Sequence, residues 1–357
     1  MELREAQIRS GAVFPPGNAD SGLPLHFGSP SAEYAAAAST AALFDFSDRT
    51  LVELTGADRV RFLHSFCTND VKRLAAGQGC EAFVPNVKGR VIGHVWIAVV
   101  DSALWLDADP GSAEQLVPHL ERYVINEDVA IADRSAEWGK LLLTGPETAD
   151  LLARLGIHVA TLANLEHSGC ELLGTPARIG RFDVGPHRGY TVVMRRDRLA
   201  DCWNCLRERG AHPSGSAVWN ALRIEAGLPI SGVDITGDNL VQEVGRTQTA
   251  VSFTKGCYLG QEPIARIDAM GHVNRELRSL RLAGDTVPPI GARAFSDATA
   301  SHPVGTITSA AFSFASNGPV AMALLRSNAS ACDTQVFVER NENPVAATVF
   351  WFPNQTN

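Results

Sequence analysis

A thiol, an ammonium, a phenol and a carboxylate lie within eight consecutive residues of this chain. The segment 255–262 reads Lys-Gly-Cys-Tyr-Leu-Gly-Gln-Glu. A cysteine acts as a nucleophile or metal ligand only as the thiolate, and a nearby cation favours that form. Lys255 can supply the cation for Cys257 if the loop folds suitably. The alternative is a small buried thiol, since free cysteines are often interior. We favour a reactive thiol on a surface loop, with Cys257, Lys255 and Tyr258 as the candidate catalytic residues.

A helix is expected directly after this motif, because Pro263 suits a first helical turn. Backbone N–H groups at the start of a helix can hold an anion. Arg266 lies about one turn further along the chain and is expected to face the same site.

A second candidate site ends the helix predicted over 218–226. Its last turn carries Arg223 and Glu225, followed by Gly227. A carboxylate can accept paired N–H donors from a heterocycle such as a pterin. On residue types alone, however, a solvated Arg and Glu are favoured, because charged side chains on helices usually face water.

Other potential metal or redox motifs are incomplete. Cys202 and Cys205 form a Cys-x-x-Cys, but within a predicted helix and without the second pair of a zinc site. We therefore interpret them as structural thiols. The ten histidines lack the spacing of a metalloenzyme motif, so no metal site is predicted.

The overall composition is that of a folded protein with more than one domain. The chain has 357 residues, 45% hydrophobic and 20% charged, with a net charge of −8. This charge argues against a general nucleic-acid binder. No signal peptide or membrane span is recognised, and seven scattered cysteines favour a reducing compartment. A cytoplasmic protein is expected, with neither nucleic acid nor membrane as partner.

Three regions are predicted along the chain. Residues 1–32 form an irregular N-terminal arm, 33–275 an α+β region, and 276–357 an all-β module of short strands between turns. Within the second region, 51–67 and 141–156 each follow the order strand, Thr-Gly turn, helix. They favour two related subdomains, although such units are also common by themselves.

The chain resembles the YgfZ-type folate-binding proteins, which are relatives of the glycine-cleavage aminomethyltransferase, or T-protein. The octapeptide is similar to their K-G-C-Y-x-G-Q-E signature. The segment 62–71 is similar to their F-L-x-x-x-x-T-N-D-V, and 223–232 to their R-x-E-A-G-x-P-x-x-G. Arg266, Gly271, His272 and Asn274 continue the pattern.

The resemblance implies a three-part, ring-like α+β fold of the aminomethyltransferase type, with a C-terminal β-barrel and a central opening for tetrahydrofolate. Glu225 would then bind the pterin. The resemblance also implies cofactor-binding roles for five further residues: Arg223, Gln261, Glu262, Arg266 and Asn86.

One departure from the transferases concerns catalysis. Where the aminomethyltransferases carry V-I-D-D, this chain has Val-Ile-Gly93-His94, so both carboxylates are absent. Aminomethyl transfer needs an acid or base near the reacting nitrogen. The aromatic residue of their preceding strand also falls near Glu81. Both changes count against glycine cleavage.

Three hypotheses follow. The first, which the resemblance to the YgfZ-type proteins implies, is a tetrahydrofolate-binding protein that assists iron–sulfur cluster assembly or repair, with assembly or client proteins as partners. In it Cys257 acts as nucleophile, redox thiol or transient cluster ligand. The second is a folate-dependent one-carbon (aminomethyl or methyl) transferase or demethylase. The third is an interaction scaffold that has lost its ligand.

Overall fold

Helices and strands alternate along most of the chain, and strands dominate its last quarter. The computed structural model describes residues 2–16, 22–271, 273–340 and 343–350. These residues form two compact units. Unit 1 comprises Met1–His64, Asp70–Glu81 and Val95–Trp219, and unit 2 comprises Ser65–Asn69, Ala82–His94 and Asn220–Asn357.

The helices are α1 (Leu3–Arg9), α2 (Pro30–Ser39), α3 (Arg59–Phe66), α4 (Ala113–Glu121), α5 (Thr148–Ala153), α6 (Leu199–Glu208), α7 (Ser216–Glu225), α8 (Thr247–Ala250) and α9 (Gln261–Met270). The strands are β1 (Ala42–Asp45), β2 (Thr50–Thr55), β3 (Gly79–Pro85), β4 (Val91–Val100), β5 (Ala103–Ala108), β6 (Ala130–Asp133), β7 (Trp138–Thr144), β8 (His167–Leu172), β9 (Thr175–Arg181), β10 (Gly189–Arg195), β11 (His212–Ser214), β12 (Arg275–Leu282), β13 (Arg293–Phe295), β14 (Pro303–Ser313), β15 (Gly318–Arg326), β16 (Gln335–Val338) and β17 (Val345–Phe350).

A six-stranded sheet in the order β11-β1-β7-β10-β9-β8 is the main layer of unit 1. Side chains of a strand alternate between its two faces. On one face, Leu141, Leu143 and Val192 join a buried core that includes Trp203 of α6. The alternate positions of β7 and β10, such as Lys140 and Thr191, therefore belong to the opposite face.

A five-stranded sheet has the order β3-β4-β5-β2-β6. In its antiparallel register, Trp96 pairs with Asp107, and Trp105 pairs with both Ala98 and Glu53. Directly paired residues lie on the same face of a sheet. Two tryptophans and an aspartate thus share one face of this sheet.

A closed barrel, β12-β15-β14-β13-β16-β17, forms most of unit 2. Its interior is filled by alternate apolar side chains, among them Leu280, Ile307, Ala323 and Val336. The predicted all-β module is therefore present. The three-residue strand β13 was not predicted, because it is too short to show a period-two pattern.

The N-terminal arm differs from its prediction. Residues 3–9 form α1, and Ala6 and Trp203 lie in the same buried core. The predicted irregular run also ends early, since α2 begins at Pro30, where Ser29 caps the helix by accepting from the N–H of Ala32. Tertiary packing, absent from the local sequence pattern, stabilises the short first helix.

Both predicted strand–turn–helix units are present in unit 1. Gly56 joins β2 to α3 with a φ of +99°, and Gly145 joins β7 to α5 with a φ of +128°. A Cβ at Gly56 would lie 2.1 Å from the carbonyl oxygen of Asp128. Both turns therefore require glycine.

None of the helices in the described part of the chain combines the length and apolar character that a bilayer crossing requires.

Candidate functional site

The cysteine loop of unit 2 alternates between buried and exposed side chains. Lys255 is 6% exposed and Tyr258 8% exposed, whereas Cys257 between them is exposed. Burial raises the pKa of the Tyr258 phenol to about 12, so it is neutral at physiological pH. The predicted surface position of the thiol agrees with the structure.

The ammonium of Lys255 is directed at the main chain of another segment. Its Nζ donates to the carbonyl oxygen of Cys67 at 2.7 Å and to that of Asn69 at 2.8 Å. It also lies 4.9 Å from the ring centroid of Tyr258, within the range of a cation–π interaction. These contacts bury the charge beneath the loop that carries Cys257.

The predicted helix after the cysteine motif is α9, which begins at Gln261 rather than at Pro263. Gly260 precedes it with a φ of +77°. The candidate residues Glu262 and Arg266 are exposed on this helix, and Gln261 is half-buried. The His272 position lies outside the described residues.

The side chain of Asn86 stabilises a turn. Its Oδ1 accepts from the N–H of Lys88 at 2.9 Å and from that of Arg90 at 3.2 Å. A Cβ at Gly260 would lie 2.3 Å from the Asn86 carbonyl oxygen. This turn and the start of α9 thus approach each other closely.

Arg223 is only 2% exposed and belongs to a buried polar network of unit 2. It donates to Asp234 at 2.7 Å and to the hydroxyl of Ser309 at 2.6 Å. Ser309 donates in turn to Asp234 at 2.7 Å. The network links α7 to the barrel strand β14, so these contacts give Arg223 a structural role.

Glu225 and His94 have different surroundings. Glu225 is half-buried at the end of α7. His94 is fully buried, and its ring stacks on Phe83 with centroids 4.9 Å apart. The histidine thus occupies a packed position in β4, where the transferase motif has a carboxylate.

The Cys-x-x-Cys of α6 has the setting of a packing element. Cys202 is fully buried, and burial raises the pKa of its thiol. Among the described residues, no group of three or more His, Cys, Asp or Glu side chains could hold a metal ion.

A cavity of about 100 Å³ lies within unit 1. One water molecule needs only about 10–15 Å³ in such a measure. Its lining is mostly apolar and aromatic, and comes from β2, β4, β5, β7, β8, β9 and β10 and from residues next to these strands. Its aromatic lining residues include Phe46, Trp96, Trp105, Trp138 and Phe182. Small-molecule sites typically combine such walls with a few polar groups.

Asp107 is the acidic centre of the cavity wall. It accepts from Arg49 Nε at 2.6 Å and forms an ion pair with Lys140. The guanidinium of Arg49 also contacts Asp109 at 2.8 Å and lies 5.0 Å from the ring centroid of Trp96. One side of the cavity is thus formed by charged side chains that their ion pairs hold in place.

His167 and Arg49 place buried donor atoms on the cavity wall. The Nδ1 of His167 accepts from Arg178 Nη1 at 3.0 Å, which places the proton of the neutral ring on Nε2. Burial, with the positive charge of Arg178, lowers the pKa of His167 to about 4. Within the described ranges, neither His167 Nε2 nor Arg49 Nη2 has an acceptor in good hydrogen-bond geometry, although the main chain of Gln78 lies near the His167 ring. Buried donors are normally paired, so this wall is suited to a ligand with acceptor oxygens.

The sequence did not predict this cavity, because its polar residues lie far apart along the chain. The predicted site residues all belong to unit 2, whereas Arg49, Trp96, Asp107 and His167 belong to unit 1. One signal in the sequence could have indicated the cavity. In the apolar runs that form β4 and β5, tryptophan and aspartate interrupt the pattern of apolar side chains.

Two segments of the chain match domains of a known protein family. Residues 4–255 match the GCVT N-terminal domain, and residues 275–353 match the glycine cleavage T-protein C-terminal barrel domain. An aminomethyltransferase of Herpetosiphon aurantiacus is 28% identical over 335 residues, which cover 93% of this chain and 91% of that protein.

Two further proteins are similar to this chain, one in sequence and one in fold. A putative chloroplastic transferase of Arabidopsis thaliana is 29% identical over 248 residues, or 68% of this chain; the match spans only 57% of that relative's length. The crystal structure of the glycine cleavage aminomethyltransferase T from Bartonella henselae superposes with a TM-score of 0.88 at 24% identity, over 99% of this chain and 97% of that one.

The predicted α+β fold of the aminomethyltransferase type, with its C-terminal barrel, is confirmed. The two domain matches together span most of the described chain, and the N-terminal match alone covers well over half of it. The chain therefore belongs to the glycine cleavage T-protein family.

Proposed function

We propose that the chain binds a tetrahydrofolate derivative and transfers its one-carbon unit, with the folate heterocycle in the tryptophan-lined cavity of unit 1. Membership of the T-protein family and the similarity to an aminomethyltransferase support the reaction class. These relatives favour the one-carbon transferase hypothesis over iron–sulfur assembly.

The observation that carries the proposal is a pair of buried donors on the wall of an aromatic cavity, His167 Nε2–H and Arg49 Nη2, for which the described part of the chain offers no acceptor in good hydrogen-bond geometry. A pterin is a flat heterocycle with a carbonyl oxygen that can accept from such donors. Trp96 and Trp105 supply the aromatic faces. Bound folate would supply the one-carbon carrier, and these residues would hold and orient its ring.

Glu225 is the competing candidate for the pterin contact. A half-buried carboxylate on α7 can accept two N–H donors of an amino-pyrimidinone edge. Gln261, Glu262, Arg266 and Asn86 would then form the rest of the site in unit 2. The two locations predict different effects of mutation.

Glycine cleavage itself is not part of the proposal. Gly93 has no side chain to move a proton, and His94 is stacked on Phe83. Proton transfer to or from a reacting group needs a group within hydrogen-bond reach. The one-carbon donor is therefore proposed to differ from the aminomethyl group of glycine cleavage.

Anaerobic calorimetric titration with tetrahydrofolate tests the proposal. We expect saturable one-site binding, weakened about 5- to 100-fold by His167→Ala, because a lost hydrogen bond of a buried ligand costs about 1–3 kcal/mol. His158→Ala is the matched control, since this histidine is exposed in the same unit. Absence of binding at millimolar tetrahydrofolate, or an unchanged affinity in His167→Ala, would reject this placement.

A second candidate function rests on Cys257. Its exposed thiol and the YgfZ-type signature favour folate-dependent assistance of iron–sulfur assembly in the cytoplasm, with a client or assembly protein as partner. Soft thiolates are natural iron–sulfur ligands, but one cysteine needs further ligands from the partner. Under this function, Cys257→Ala abolishes reactivation of an iron–sulfur enzyme while folate still binds. Full activity of the variant would reject it.

A further inference from the structure

We propose that Lys255 is a positioning residue, which ties the cysteine loop to the segment 65–69 and so presents Cys257 outward. The inference is independent of the folate cavity. It assigns Lys255 a different role from that of a cation beside the thiolate.

The loop 252–259 is fastened to the segment 65–69 at both of its ends. The N–H of Ser252 donates to the carbonyl oxygen of Thr68 at 2.9 Å, and the N–H of Leu259 donates to that of Ser65 at 2.9 Å. Lys255 lies between these two points. The Lys255 ammonium supplies a third attachment there, through the carbonyl oxygens of Cys67 and Asn69.

The segment 65–69 is itself rigidly held within unit 2. The hydroxyl of Thr68 donates to the carbonyl oxygen of Ala250 at 2.6 Å and accepts from the N–H of Phe83 at 2.9 Å. Asn69 Nδ2 donates to the carbonyl oxygen of Thr249 at 3.0 Å. An attachment to this segment therefore restrains the loop.

Tyr258 completes the arrangement from the other side of the cysteine. Its ring packs in a buried cluster with Phe83, Val251 and Ile264, and the Lys255 ammonium lies over that ring. The side chains before and after Cys257 are thus anchored inward, whereas Gly256 has open space where a Cβ would stand. The backbone geometry leaves the thiol as the outward group of the loop.

Two measurements on the same variants test this role. The first is the pH dependence of Cys257 alkylation by iodoacetamide, followed by mass spectrometry of its peptide. The second is amide hydrogen exchange in the segments 65–69 and 252–259. The variants are Lys255→Met, Lys255→Arg and the control Lys88→Met, which removes an exposed lysine of the same unit.

In Lys255→Met we expect hydrogen exchange of both segments to rise about tenfold or more, with the alkylation midpoint unchanged. Lys255→Arg restores part of the protection, because its guanidinium can also donate to two carbonyl oxygens. If Lys255→Met does not fold, Lys255→Gln takes its place.

An alkylation midpoint that rises by about one pH unit, as expected on loss of a cation that stabilises the thiolate, overturns the proposal. Unchanged exchange overturns it as well.

Discussion

The guanidinium of Arg178 donates to Nδ1 of His167 at 3.0 Å and thereby fixes which nitrogen of that ring carries the proton. An always-charged donor on Nδ1 opposes protonation of the imidazole. His167 is consequently a neutral N–H donor on the cavity wall at physiological pH.

The first prediction concerns stability in acid. His167 has a pKa of about 4 in the fold against 6.5 when unperturbed, so between these values the unfolded chain binds the extra proton. The contribution of His167 to stability is therefore complete above pH 6.5 and is lost as the pH falls toward 4. We expect a loss of about 2 kcal/mol, allowing for solvent screening.

Urea unfolding of wild type and His167→Gln between pH 7 and 4 measures this contribution. The difference in unfolding free energy between the two proteins should shift in favour of the variant as the pH falls. Because both proteins carry the same carboxyl groups, the titration of these groups cancels in the difference between the two unfolding free energies. A difference that is constant with pH would contradict the predicted neutral state.

The second prediction separates the two folate sites. If the heterocycle lies in the unit 1 cavity, Trp96→Leu weakens tetrahydrofolate binding about tenfold, through loss of a stacking face, whereas Glu225→Gln changes it less than about threefold. Asp285→Asn, an exposed acid of unit 2, is the control for Glu225→Gln. The opposite ranking in calorimetry would place the pterin at Glu225.

The third prediction concerns the buried network of unit 2. Arg223→Ala leaves Asp234 buried without its ion-pair partner, which should lower the unfolding free energy by about 3–5 kcal/mol. Arg266→Ala should change it by less than about 0.5 kcal/mol, because Arg266 is exposed. Chemical denaturation of both variants measures the difference, and equal effects would refute the structural role of Arg223.

The fourth prediction compares the two glycines that flank Cys257. Gly260→Ala introduces a Cβ 2.3 Å from the carbonyl oxygen of Asn86, at a φ of +77°, and should destabilise the protein by about 2 kcal/mol or more. Gly256→Ala meets no atom within 4 Å and should cost less than about 1 kcal/mol. Thermal unfolding of the two variants measures this difference in stability. Similar melting temperatures would show that the turn at Asn86 can move away from the added methyl group.

The fold type was predicted from the resemblance to the T-protein relatives, whereas local signals in the sequence marked several of its elements. The two strand–turn–helix units were marked by Thr-Gly turns, and the barrel strands by apolar alternation between turn residues. Among the elements that were not predicted are α1 and β13. Both are short and depend on tertiary packing, which no local pattern reveals.

The sequence predicted the cysteine motif but not the direction in which the Lys255 side chain points. Spacing alone placed Lys255 near Cys257, yet the structure directs the ammonium to the carbonyl oxygens of Cys67 and Asn69, almost two hundred positions earlier in the chain. The cavity donors were harder still to find. Arg49 precedes β2 of the five-stranded sheet and His167 begins β8 of the six-stranded sheet, so only the packing within unit 1 brings them to one wall.

The closed barrel has a consequence for how the protein behaves at high concentration. Each of its described strands pairs with a neighbour on both sides, and the β12–β17 ladder joins the first strand to the last. Unpaired strand edges are the usual templates for intermolecular β-pairing and fibril growth. Opening of one of the barrel's ladders, rather than the exposure of any single apolar side chain, is therefore the event that would make this region prone to aggregation.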